Sequence, residues 1–178
     1  MKKYLFLFPL LTITLESHAM DAQRELFRAL AIRSRDPVAL TELLKNNPTI
    51  DLNSTYKGPH KGGVPLPRGI PPLHIAASYE LGDVFAIEAL IKAGADINAL
   101  DAEGQTALFK AASPEVALAL LNNGIDPFIK DNKNKTAIES LATAIEEHNK
   151  YSTTVGFAAR ELAVKNTIEK YINAQSIL

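Results

Sequence analysis

The side chains in this sequence that could do chemistry are few and scattered. Beyond residue 19 the chain has three histidines, His60, His74 and His148. No two of them stand at a ligand spacing such as i, i+4. There is no cysteine, which excludes thiol nucleophiles, disulfides and thiolate metal sites. Glu146 and Glu147 are adjacent, and neighbours on a helix point about 100° apart, which suits a solvated face better than a paired-carboxylate site. The stretch GPHKGG at 58–63 has the glycines and lysine of a phosphate loop. It lacks that loop's spacing, its Lys-Ser/Thr ending and a following helix. No Gly-x-Ser-x-Gly elbow occurs. These observations predict no catalytic residue, no metal ligand and no cofactor. A non-enzyme is expected, and the rival is an enzyme whose unrecognised site lies in the loop 54–68.

The elements that would position any binding residues show up as internal repeats. GIPPLHIAA at 69–77, GQTALFKAA at 104–112 and NKTAIESLA at 134–142 align at offsets of 35 and 30 residues. Their second halves also match: ALIKAGADIN at 89–98 answers ALLNNGIDPF at 119–128, and LLKNNPTIDLN at 43–53 is a weaker copy. Gly94 and Gly124 are placed to end helices, where the left-handed residue costs least as glycine. Asp96 and Asp126 recur at equivalent positions and read as turn caps. Thr106 and Thr136 precede helices and can cap them. Pro72 suits a first helical turn. Small Ala76, Ala77, Ala111 and Ala112 allow close inner helices, and Leu90, Ile91, Leu120 and Leu121 bring bulk from outer ones.

With PLHIAA at 72–77, GADIN at 94–98 and DAEGQT at 101–106, the chain resembles the ankyrin-repeat family over residues 22–148. The resemblance implies an all-α solenoid of three to four helix pairs with β-hairpin-like fingers. It also implies that His74 is structural, bonding backbone between neighbouring turns. The expected organisation is a repeat domain over 20–148 with a degenerate first repeat (22–53), a long finger (54–68) and repeats at 69–103, 104–133 and 134–148. A capping helix over 149–178 follows. In the first repeat, helices are expected at 24–33 and 37–45. At the other end they are expected at 136–148 and 154–174, the last with Ala158, Leu162, Ile168, Tyr171 and Ile172 on one stripe. Three departures stand out: Pro71 occupies the usual threonine position, 78–83 carries about two extra residues, and the third repeat lacks about three.

Residues 1–19 have the three-part plan of a secretory signal peptide. Lys2 and Lys3 are followed by an apolar run from Tyr4 to Leu15 and by small residues, Ser17 and Ala19, ahead of a cleavage site after Ala19. That run is too short to span a bilayer, which needs about 20 residues. A periplasmic or secreted protein is expected, with no membrane insertion once the leader is removed. The net charge of −1 offers no field for nucleic acid.

What remains for function is surface, and the resemblance implies docking in a concave groove and on the finger tips. Tyr56, Arg68, Tyr79 and Leu100 are the expected partner-binding anchors, joined by Glu103, Lys130 and Lys133. Lesser tip candidates are Ala102, Gln105, Asn132 and Lys135. The expected activity is that of a monomeric, exported protein-binding module. An inhibitor or immunity protein of a toxic enzyme is the narrower form, and an accessory factor of an envelope enzyme is the alternative.

Overall fold

The computed structural model describes residues 21–30, 37–55, 69–78, 82–151 and 155–176. Among them the elements are helical. They are α1 (21–30), α2 (Pro37–Asn46), α3 (Pro72–Ala77), α4 (Val84–Lys92), a 3₁₀ turn η1 (Ala107–Lys110), α5 (Pro114–Asn122), α6 (Ala137–Tyr151) and α7 (Val155–Gln175). No described residue lies in a strand, so the expected hairpin fingers are turns. The described residues 21–30 are all helical, and residues 31–36 lie outside the described residues.

The helices form two rows. α3, η1 and α6 make contact in sequence, and so do α2, α4, α5 and α7. Each pair is amphipathic and cannot close its apolar face alone, so the core forms between pairs. It runs without a break from Leu26 and Phe27 in α1, through Leu73, Leu90, Leu108 and Leu120, to Val164 and Ile168 in α7. The small residues act as expected in α3, whereas Ala111 and Ala112 lie beyond η1 and Ala111 is only partly buried. Ala76, Ala77 and Ala107 are buried in the first row, and Leu90 and Leu120 are fully buried in the second. The last helix differs in register. Leu162 faces solvent, and Val164 and Ile168 carry the buried stripe, with Tyr171 and Ile172 partly buried beside it. The i, i+4 pair 164/168 carries the inward face, two residues round from the position expected for Leu162. Tyr171 Oη then donates to the Leu121 carbonyl (2.9 Å) and ties α7 to α5.

Turn chemistry sets the spacing of the pairs. α4 and α5 end alike. The Ala95 N–H reaches the Leu90 carbonyl and the Ile125 N–H reaches the Leu120 carbonyl, and the glycine between them, Gly94 or Gly124, has positive φ. Asp96 and Asp126 then accept from the N–H groups of Asn98 and Phe128 (2.9 Å each). The asparagine side chains pass the bond onward. Asn53 Oδ1 accepts the Asp96 N–H (2.8 Å), and Asn98 Oδ1 accepts the Asp126 N–H (2.9 Å). At the third position Phe128 stands instead, 63% exposed.

Helix starts are capped unevenly. Asp83 accepts from Phe85 and Ala86 N–H, and Ser113 from Val116 N–H. Thr136 forms a reciprocal box with Glu139. Its Oγ1 accepts the Glu139 N–H (3.3 Å), and Glu139 Oε2 accepts both the Thr136 N–H (2.7 Å) and its hydroxyl (3.0 Å). The expectation for Thr106 is corrected, because this side chain caps nothing and its Oγ1 is buried without a partner. The element after it is a single 3₁₀ turn, a consequence of the residues missing from this repeat.

Two stability outcomes are expected in urea unfolding. Leu90→Ala should cost about 2–5 kcal/mol by leaving a cavity. Thr136→Ala should cost about 1 kcal/mol, whereas Thr106→Val, which removes only an unpartnered hydroxyl, should stay within about 0.5 kcal/mol of the parent or stabilise it.

Candidate functional site

Each of the two described fingers is shaped by a carboxylate at its base. Asp101 Oδ1 accepts the backbone N–H of Glu103 and of Gln105 (2.9 Å each). The Asp101 N–H in turn reaches the Gln105 carbonyl (2.9 Å). Asp131 repeats the arrangement with the N–H groups of Lys133 (2.9 Å) and Lys135 (3.0 Å). Burial by itself would raise the Asp101 carboxyl. The Gln105 N–H and the Lys110 ammonium outweigh it and hold the group below the usual aspartate value. The Lys135 N–H does the same for Asp131.

Neighbouring tips are bonded to each other. The Asn132 N–H donates to the Glu103 carbonyl (2.9 Å), and Asn132 Nδ2 donates to the Ala102 carbonyl (3.1 Å). Gly104 has φ +73° and lies against this link, where a Cβ would sit 2.5 Å from Asn132 Oδ1. The close approach, added to the positive φ, favours glycine there, whereas Asn134 takes a positive φ of 61° in the next finger without one.

Below the tips, Lys110 at the end of η1 gathers three acceptors: Gln105 Oε1 at 2.7 Å, Asp101 Oδ2 at 3.2 Å and Glu103 Oε2 at 3.4 Å. Gln105 Nε2 reaches Asp131 Oδ2 in the next finger (3.3 Å). The Gln105 carbonyl also lies 2.7 Å from Nε2 of fully buried His74. A carbonyl only accepts, so Nε2 carries the proton and Nδ1 is left as a buried acceptor with no partner among the described residues. Gln105 therefore joins α3, η1 and both fingers, and is committed to structure.

Of the expected anchors, Leu100 is 51% exposed at the root of its finger. Glu103, Lys130 and Lys133 are exposed on the same run of turns, Glu103 with its ion pair to Lys110. Lys135 is half-buried and bonds Thr143 Oγ1 (2.9 Å), and Asn132 is spent on the tip-to-tip link. Tyr56, Arg68 and Tyr79 lie outside the described residues. Sequence reasoning missed Lys110, whose three partners converge only through the fold of the finger. Among the described residues no group of side chains could hold a metal ion, and no helix is long and apolar enough to cross a membrane.

A family model of ankyrin repeats, in three copies, matches residues 27–131. The chain belongs to the ankyrin-repeat family. No curated protein matches the chain. Ankyrin repeats are generally protein–protein interaction modules and are typically non-catalytic. Against the ankyrin pattern, the threonine and histidine that begin the first helix of a repeat are divided here between two repeats. Positions 71 and 74 hold proline and histidine, and the equivalent 106 and 109 hold threonine and phenylalanine. His74 Nδ1 and Thr106 Oγ1, the halves left over, are both buried and have no partner among the described residues.

Burial, opposed in part by the Gln105 carbonyl and by Asp101, lowers the His74 pKa from its ordinary value of about 6.5. The folded protein then binds fewer protons here than the unfolded chain, so stability is lost as pH falls below about 6.5. The urea midpoint is expected to drop between pH 7.5 and 5.5, and His74→Gln should flatten that slope.

Proposed function

We propose that this protein binds a protein partner through the concave face carrying its finger tips, outside the cytoplasm. One observation carries the reading. The two described fingers are locked to each other by the Asn132 bonds, and they hold Leu100, Glu103, Lys130 and Lys133 exposed on one run of turns. Rigid turns lose little conformational freedom when a partner docks, so contact energy is not spent on ordering them. Leu100 supplies an apolar centre, and the charged tips set partner choice and encounter rate. The leader-like residues 1–19 support export.

Capture on immobilised protein is expected to retain one partner. The triple variant Leu100→Ala, Lys130→Glu, Lys133→Glu should bind it at least tenfold more weakly, whereas Val38→Ala, exposed on α2, should leave binding unchanged. Equal binding by all three proteins would remove the fingers from the interface. Export is read from the N-terminal residue of the envelope fraction. Met20 is expected there, and an intact Met1 confined to the cytosol would end that part of the reading.

A further inference from the structure

The third repeat is short by about three residues, and its first helix is only the 3₁₀ turn Ala107–Lys110. Its neighbours in the same row are the two-turn α3 and the fifteen-residue α6. The helical turns absent from η1 leave a cavity of about 300 Å³ with an apolar lining from Phe109, Ala112, Leu141 and Val164. Three charged residues also line it: Lys110, Arg160 and Glu161. The Lys110 ammonium bonds Gln105 Oε1 and Glu103 Oε2 and pairs with Asp101, so it is engaged by the finger. Arg160 is exposed. Glu161 is different. Its Oε2 is buried and has no hydrogen-bond partner among the described residues. Burial disfavours its charge and raises its pKa, with His148 acting in the opposite direction. A buried carboxylate oxygen without a donor is costly, and native structures seldom leave one unexplained.

We propose that this cavity is a binding site for a lysine side chain of the protein partner, with the ammonium on Glu161 Oε2 and the aliphatic stem against Phe109, Leu141 and Val164. The volume lies at the low end for small-ligand pockets and suits one slender side chain. An ammonium supplies the donor that Glu161 Oε2 lacks, on the one acidic residue of the lining. Lys110 links the two, since its chain lines the cavity and its ammonium bonds the finger. The proposal rests on the protein-binding reading, and it places one contact below the tips.

The test titrates n-butylammonium chloride into isotope-labelled full-length protein and follows the amide and methyl resonances by NMR, against sodium chloride at matched ionic strength. Shifts at Ala111, Ala112 and Val164 that saturate at about millimolar concentration are expected. Glu161→Gln, which keeps the shape and removes the charge, should weaken them at least tenfold. Sodium butyrate should give none. Ala111→Leu, which fills the cavity from its lining, should abolish them in a protein whose remaining spectrum is unchanged. Equal shifts in parent and Glu161→Gln, shifts confined to other sites, or a response to butyrate alone would overturn the proposal. The probe is a small amine and not the partner, so its failure leaves binding at the fingers untouched. Loss of partner binding in the finger variant, conversely, does not alter the titration.

Discussion

Burial between neighbouring helix pairs is the constraint on which everything else in this protein depends. Leu90 and Leu120 are fully buried, and each lies in a helix packed on its neighbours in the same row and on its partner in the other. No pair has enough apolar contact to stand alone, so the order of the fingers depends on the order of the stack. The terminal helix α7 is part of the same arrangement. Val164 and Ile168 cover the last apolar face, and the Tyr171 hydroxyl reaches back to the α5 backbone.

Polar groups convert that stack into a fixed surface. The carboxylates of Asp101 and Asp131 each organise a tip from beneath. Gln105 and Lys110 connect the tips to the helices, and His74 connects the second repeat to the third. Nearly all the polar residues at this face are thus spent on shape, and only a few remain for contact. The side chains left outward are Leu100 and the tips of Glu103, Lys130 and Lys133.

Features governed by local rules were legible in the sequence. Gly94 and Gly124, Asp96 and Asp126, and the Thr136 cap each act within a few residues, and the residue types announce them. Features decided by the path of the chain in space were not. Thr106 has the cap residue type, but a missing helical turn withdraws its partner. Gln105 sits at a tip position expected to face a partner, and here it is a structural tie across 31 residues. Leu162 and Val164 differ by two residues, and only the docking angle of α7 decides which is inside. The site at Glu161 was foreshadowed only by a length deficit some fifty residues earlier in the chain.

The asparagine relay bears on how this array can grow. Asn53 and Asn98 each offer an oxygen to the amide of the following unit, but Phe128 offers none. A duplicated unit spliced in ahead of residue 99 would find a donor and an acceptor waiting at its two junctions. One appended beyond Phe128 would meet an aromatic ring where an amide acceptor is required. Lengthening from within therefore keeps the relay whole, whereas extension beyond Phe128 forfeits one bond of it.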